Sequence, residues 1–189
     1  MTKITISGVP GSGKTTTGKI LAKKLKCKFL SVGGVRREIA KEKGLTIQEL
    51  NKIGETEKWT DEVVDKKQIE IGKKEENFVF EGRLSWYFIP NSIKILLLVN
   101  EKEGAKRVRK EKRASEQKTK SVYEQIKINK ERAKSDKKRY KNIYGIKNFL
   151  DQKNFDIIID TSSLTPKEVV EIILKQLKNI KNFKQKNFF

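Results

Sequence analysis

Several residue types are missing or scarce in this sequence. Its 189 residues include no histidine and one cysteine, Cys27. The lack of histidine removes most histidine-based acid–base and nucleophilic schemes. A single cysteine excludes an internal disulfide and a zinc site built from a cysteine cluster. No apolar run approaches the ~20 residues that a membrane helix needs, and the first residues lack a signal-peptide pattern. We therefore expect a soluble, cytoplasmic protein.

Basic residues, in contrast, are abundant. Lys and Arg number 44 against 24 Asp and Glu, which gives a formal net charge of +20. Such a charge is common in proteins that bind nucleic acid or membrane surfaces. Lysine is spread over nearly every predicted exposed face, whereas the eight arginines all lie between residues 36 and 139. Because guanidinium grips phosphate and carboxylate in a way that lysine cannot, we interpret the arginines as candidate ligand contacts. We expect no membrane association and no specific nucleic-acid binding.

The apolar residues are concentrated in short runs that alternate with helical patterns. Five runs predict strands: KITIS, KFLSV, NFVFEG, SIKILLLVN and FDIIID. Their continuous apolar character is typical of a parallel sheet covered on both faces. Helices are predicted over 14–25, from 35 to Gly44, from the capping box at Thr46, over 60–71, through much of 101–144, and from Thr165 to about Leu177. The alternation predicts an α/β fold, a five-stranded parallel sheet flanked by helices.

The strongest motif is GVPGSGKT, which fits G-x-x-x-x-G-K-[ST] and lies between the first predicted strand and helix. Its glycines let the loop wrap an anion, and the helix N-terminus adds positive potential. Lys14 would reach the β- and γ-phosphates of a nucleotide, and Thr15 would bind Mg²⁺. The motif predicts a P-loop NTPase fold. The candidate nucleotide-binding residues are Gly8, Val9, Pro10, Gly11, Ser12, Gly13, Lys14, Thr15 and Thr16.

Two further stretches indicate a family. With the phosphate loop, SVGGVRREIA (31–40) and VFEGRLS (79–85) resemble the nucleoside monophosphate kinases, and most of all the archaeal-type cytidylate kinases. KRYKNIYGI (138–146) and IIIDTSSLTPKEVV (157–170) are similar to the closing region of the same family. The resemblance covers Lys3 to about Leu177. It implies that ATP, with Mg²⁺, donates its γ-phosphate to CMP and also to dCMP.

The resemblance also implies how the chain is organised. We expect one kinase domain over 1–178, with an NMP-binding insertion at about 34–72 and a lid at about 107–140. A basic, flexible tail would follow over 179–189, and the protein is expected to be a monomer. The sequence departs from the family at two places. Gly34 stands where many relatives have an acid, and Glu111 stands where a second lid arginine is expected, with Arg109 and Arg113 on either side.

Residue roles are implied only where the motifs match. Arg37 would grip the acceptor's phosphate, and Arg83 would be a second contact to that phosphate, while the role of Arg36 is left open. Glu81 would hold Mg²⁺ through water, and Arg107 would pack near the base of ATP. Ser85 is predicted to line the acceptor pocket.

The stretch RAKSDKKR places Arg132, Asp136 and Arg139 at i, i+4 and i+7, within one stripe of a predicted helix. The spacing matches the R-x-x-x-D-x-x-R element of cytidylate kinases, whose arginines reach the phosphates and whose aspartate accepts hydrogen bonds from the acceptor nucleoside. The same stripe could be a plain helix salt-bridge ladder. The predicted catalytic residues are Lys14, Arg83, Arg132, Asp136 and Arg139.

Two alternatives stay open at this point. The first is a P-loop kinase for another acceptor, such as AMP, UMP or a small metabolite, which would share the ATP site. The second is a basic nucleic-acid-binding protein, which would bind RNA or DNA with a steep salt dependence.

Overall fold

A parallel sheet forms the centre of the molecule. The computed structural model describes residues 2–54, 56–110 and 119–186. Within them, five strands pair in the order β2-β3-β1-β4-β5, and every pairing is parallel. The predicted five-stranded parallel sheet is confirmed. The strands are β1 (Thr2–Gly8), β2 (Lys28–Ser31), β3 (Asn77–Glu81), β4 (Ile93–Leu98) and β5 (Ile157–Asp160).

Helices cover both faces of this sheet. In order they are α1 (Lys14–Lys24), α2 (Val32–Glu42), α3 (Ile47–Ile53), α4 (Trp59–Lys74), α5 (Ser85–Phe88), α6 (Glu101–Lys110), α7 (Val122–Tyr144) and α8 (Pro166–Lys186), with a short 3-10 turn at Gln152–Asn154 before β5. The sequence did not predict α5. Among the described residues, none of the helices has the length and apolar character needed to cross a membrane.

Local signals explain where several helices begin and end. The backbone N–H of Thr46 donates to the Glu49 carboxylate at 2.7 Å, and the Glu49 N–H donates back to the Thr46 hydroxyl, which is the predicted capping box. Thr165 and Glu168 make the same pair of contacts at the start of α8. Gly44 follows α2 with a φ of +66°, as expected for a glycine that ends a helix.

One boundary prediction was wrong. The last helix was predicted to end near Leu177, but α8 continues to Lys186. The stretch after Leu177 contains no proline or glycine to stop the helix. Ile180, one turn beyond Leu177, packs against the same apolar cluster. The predicted flexibility of the tail stays a prediction.

The core lies on both faces of the sheet, and β3 shows the alternation. Val79 joins a cluster with residues of α1 and α8, whereas Phe78 and Phe80 pack on the other face with Ile39 of α2 and Val64 of α4. Because Ile6 is paired with Glu81, the carboxyl ends of β1 and β3 lie side by side. In open α/β sheets, ligands bind in the crevice beyond these strand ends.

Candidate active site

The phosphate loop has a backbone that only glycine adopts easily. Gly11 and Gly13 have φ values of +76° and +81°, in the left-handed region. A Cβ added to Gly11 would lie 2.2 Å from the carbonyl oxygen of Gly104 in α6, so the loop packs directly on that helix. A Cβ on Gly8 would lie 2.1 Å from the carbonyl oxygen of Leu97. The loop is therefore fixed in shape by α6 and β4.

Two polar side chains of this loop stand out. The ammonium of Lys14 donates to the carbonyl oxygen of Val9 at 2.8 Å and so spans the loop. The hydroxyl of Ser12 is buried and has no hydrogen-bond partner within the described part of the chain. Because the ammonium of Lys14 lies across the loop, its positive charge is close to where phosphate oxygens would bind.

Thr15 and Glu81 meet where the loop passes the end of β3. The Thr15 hydroxyl donates to the Glu81 carboxylate at 2.9 Å. A hydroxyl and a carboxylate supply the oxygen ligands that Mg²⁺ prefers, and this ion usually completes its shell with phosphates and water. The described residues contain no group of three or more acidic or cysteine side chains that could hold a metal alone. The pair therefore fits Mg²⁺ that arrives with a nucleotide.

A salt bridge between the segment after β3 and α7 lies beside the loop. The guanidinium of Arg83 contacts the Asp136 carboxylate at 2.6 Å, and Arg139 approaches the other oxygen of Asp136 at 3.5 Å. Asp136 is 6% exposed. A small cavity has Gly8, Pro10, Arg83 and Asp136 among its lining residues. Two predicted site residues, one just after β3 and one in α7, thus share a cavity with the phosphate loop.

Asp61 of α4 joins two further arginines. It accepts from Arg36 of α2 at 3.3 Å and from Arg139 of α7 at 3.2 Å. Burial is the largest single influence on the pKa of Arg139 and acts to lower it. Tyr140, Asp61 and Asp136 together outweigh burial, so the pKa of Arg139 is raised. Arg139 thus remains a cation between two carboxylates.

A second polar network includes Asp65, which lies one helical turn after Asp61 on α4. The Ser85 hydroxyl donates to the Gln68 amide oxygen at 2.9 Å, and the Gln68 amide nitrogen donates to Asp65 at 3.3 Å. Tyr144 of α7 donates to the other Asp65 oxygen at 2.5 Å. Burial raises the pKa of Asp65 to about 6, with a smaller contribution from Asp61, and burial also raises the pKa of Tyr144.

The remaining predicted residues lie around this centre. Arg107 of α6 donates to the carbonyl oxygens of Thr161 and Ser162 at 2.8 and 3.2 Å, so its guanidinium lies beyond the end of β5. Arg132 is exposed on α7, four residues before Asp136, and Thr16 is exposed in the first turn of α1. The predicted lid positions Glu111 and Arg113 lie outside the described residues.

The structure separates two neighbouring arginines of α2. Arg37, the predicted phosphate ligand, is exposed, whereas Arg36 lies in the Asp61 cluster with 17% of its side chain exposed. The two side chains differ in direction by about 100° around the helix axis. Arg36 therefore lies beside Arg139 in the candidate site, a position that the sequence did not predict.

The polar face of α4 was also not predicted from the sequence. Asp61, Asp65 and Gln68 are spaced i, i+4 and i+7 and belong to the networks described above. The same spacing singled out Arg132, Asp136 and Arg139, so the signal was present in the stretch TDEVVDKKQ. It was overlooked because a polar stripe on a helix is usually a solvated face.

A phosphate loop, an acid at the adjoining strand end and arginines from several elements define the class of P-loop kinases, which transfer a phosphoryl group. The family model for the cytidylate kinase-like family matches residues 3–163. The chain belongs to that family.

Relatives of known name match nearly the whole chain. A cytidylate kinase of Archaeoglobus fulgidus is 39% identical over 185 residues, which cover 95% of this chain and 97% of that protein. A cytidylate kinase of Methanobrevibacter smithii is 36% identical over 180 residues, with coverage of 94% and 99%. Among solved structures, a shikimate kinase from Bacteroides thetaiotaomicron aligns with a TM-score of 0.66 and 19% identity, covering 94% of this chain and 98% of that one. This last similarity shows the shared fold.

Proposed function

We propose that the protein is a cytidylate kinase, which transfers the γ-phosphate of ATP to CMP, and also to dCMP, giving ADP and CDP or dCDP. The observation that carries this proposal is the position of Arg83. Arg83 lines one cavity with Gly8 and Pro10 of the phosphate loop, and its guanidinium contacts Asp136 of α7. This position supports a role for Arg83 between the bound ATP and the acceptor.

Each group has a role that follows from its charge. Phosphoryl transfer depends on positioning and on neutralising the negative charge of the transferred group, more than on a strong base. The loop N–H groups and Lys14 would hold the β- and γ-phosphates. Thr15 and Glu81 would hold Mg²⁺, which when bound neutralises charge on those phosphates. Arg107, fixed at the end of β5, would pack against the base of ATP.

The acceptor would bind between α2, α4 and α7. Its phosphate would bind Arg83 and Arg139, with Arg36, Arg37 and Arg132 nearby. Arg36 and Arg139 now converge on the carboxylate of Asp61, so one anion already occupies a position that suits a phosphate. Asp136 would orient Arg83 and Arg139 and accept hydrogen bonds from the sugar of the nucleoside.

A coupled assay of ADP release tests the proposal. The acceptors are CMP, dCMP, UMP, AMP, GMP and shikimate, each with Mg²⁺ and ATP. We expect the highest kcat/KM with CMP and turnover with dCMP. Turnover of AMP or shikimate alone would establish the alternative of a P-loop kinase for another acceptor. The absence of turnover with every pyrimidine monophosphate would end the assignment.

A further inference from the structure

Two side-chain contacts join α4 to α7, and they follow one another in the same order along both helices. Asp61 contacts Arg139 at 3.2 Å, and further along both helices Asp65 contacts Tyr144 at 2.5 Å. At 1.5 Å per residue, the second contact lies about 6 Å further along α4 and about 7.5 Å further along α7. Along these two helices, the arginine contact at Asp61 is therefore followed, about one turn later, by the tyrosine contact at Asp65.

This spacing suits a nucleoside monophosphate. In such a molecule the phosphate and the base are separated by one sugar, a distance of the order of one helical turn. A phosphate bound by Arg139 and Arg36, in place of or beside Asp61, would put its base at the level of Asp65. The acceptor's base is therefore expected to meet the Asp65 carboxylate.

Hydrogen bonds from Gln68 and Tyr144 hold the carboxylate of Asp65 in a fixed orientation. Ser85 is fully buried and Gln68 is 3% exposed, and their hydrogen bonds end at one oxygen of Asp65. Tyr144 donates to the other oxygen. A carboxylate has about four acceptor positions, of which these contacts use two, so it can accept further hydrogen bonds.

Several aromatic rings lie around Tyr144, the residue that contacts Asp65. The ring of Tyr144 lies 5.5 Å from that of Phe88, 6.1 Å from that of Tyr87 and 6.1 Å from that of Tyr140, measured between centroids. Tyr87 is 44% exposed. Flat apolar surface beside a hydrogen-bond acceptor suits a planar heterocycle that carries an amino group.

We propose that Asp65 accepts a hydrogen bond from the exocyclic amino group of the acceptor's base, and that this contact makes the enzyme prefer cytosine to uracil. The inference rests on the proposed function. The two pyrimidines differ at ring position 4, where cytosine has an amino donor and uracil has a carbonyl acceptor. Because an ionised carboxylate only accepts hydrogen bonds, it attracts the first group and repels the second.

The stability cost of Asp65 supports a role in binding. Burial raises its pKa, so the ionised form is held in an unfavourable environment. A neutral amide at this position could accept from Tyr144 without that cost. A charged group that weakens the fold and lies one helical turn from a cluster of arginines is a candidate for function.

Asp65→Asn tests the proposal. The amide oxygen can still accept from Tyr144, and rotation of the Gln68 amide keeps both of its contacts, so the variant should fold. A hydrogen bond to a charged group contributes about 1.5–3 kcal/mol, so we expect the ratio of kcat/KM for CMP to that for UMP to fall at least ~10-fold. The KM for ATP should stay unchanged. Glu62→Gln removes one charge from the exposed face of the same helix and is the matched control.

A second measurement uses the unaltered protein, so it does not depend on the variant's folding. N4,N4-dimethyl-CMP has no amino hydrogen to donate, and its kcat/KM should be at least ~10-fold below that of CMP. Equal rates with both acceptors, or an Asp65→Asn variant that lowers CMP and UMP turnover by the same factor, would overturn the role of Asp65. Failure of the unaltered protein to use any pyrimidine monophosphate would instead overturn the proposed function.

Discussion

The guanidinium of Arg83 contacts the carboxylate of Asp136 at 2.6 Å and joins the segment that follows β3 to the middle of α7. The contact is largely withdrawn from solvent, since 24% of the Arg83 side chain and 9% of the Asp136 side chain are exposed. A buried arginine needs a counter-anion. In the free protein Asp136 supplies it, and the arginine stays oriented toward the phosphate loop.

Arg83→Ala should lower kcat/KM at least ~100-fold, because a positioned cation that neutralises developing charge contributes that much to phosphoryl transfer. Arg83→Lys keeps the charge without the planar fork, and we expect an intermediate loss. Steady-state kinetics with CMP check both variants, with Lys153→Ala, in the exposed 3-10 turn, as control. Near-normal rates for Arg83→Ala would remove Arg83 from the mechanism.

The contact between Thr15 and Glu81 predicts a change in magnesium dependence. Glu81→Gln should raise the Mg²⁺ concentration for half-maximal activity by ~10-fold or more, the usual effect of losing a group that orients metal ligands. Thr15→Ala should shift it in the same direction. The control is Glu76→Gln, an exposed acid next to the opposite end of β3. If activity falls equally at every Mg²⁺ concentration, the pair does not hold the ion.

Two glycines with similar φ angles, Gly11 and Gly44, should differ in how much activity their replacement by alanine removes. Gly11 and Gly44 have φ values of +76° and +66°, so an added Cβ strains both by ~1 kcal/mol. At Gly44 the added atom meets nothing within 4 Å, whereas at Gly11 it lies 2.2 Å from the backbone of Gly104.

We therefore expect Gly44→Ala to lower the melting temperature by a few degrees and to keep its activity. Gly11→Ala should in addition raise the KM for ATP or abolish turnover, because the phosphate loop must move away from α6. Equal kinetic effects in the two variants would show that the packing of Gly11 on Gly104 has no role in binding ATP.

The raised pKa of Asp65 predicts how stability depends on pH. In the unfolded chain this carboxyl titrates near its ordinary value of 3.8, and in the folded protein at about 6. The folded state therefore binds the proton more tightly. The stability that this provides is present below pH ~4 and is lost as the pH rises through ~6.

Asp65→Asn removes this dependence. The melting temperature of the variant relative to the unaltered protein should rise by a few degrees between pH 4 and pH 7 and then level off. Thermal unfolding across this range measures the difference. A difference that is constant or falls with pH would contradict a raised pKa at Asp65.

Much of the fold was predictable because each strand is a continuous apolar run. Each main helix has either a capping residue at its start or apolar residues at helical spacing. The exceptions have local causes. The four residues of α5 are too few to show a helical period. The last helix was predicted too short because the apolar contact of Ile180 depends on the tertiary packing of the cluster around β1.

The site was predictable where a motif fixes geometry. The phosphate loop, Glu81 and Arg83 lie at or just beyond the carboxyl ends of β1 and β3, which are side by side, and they lie close together in the structure. The choice between Arg36 and Arg37 was not available from sequence, since it depends on how α2 is rotated against α4. The roles of Asp61 and Asp65 depend on their contacts with Arg139 and Tyr144 of α7, which is distant in sequence.

Phosphorus NMR of the unaltered protein with ATP, CMP and Mg²⁺ tests the central claim most directly, because it follows both phosphate chains. We predict that the γ-phosphate signal of ATP declines while the β-phosphate signal of CDP grows in equal amount. An unchanged spectrum, or loss of ATP to free phosphate with CMP intact, would contradict a transfer of the phosphoryl group to CMP.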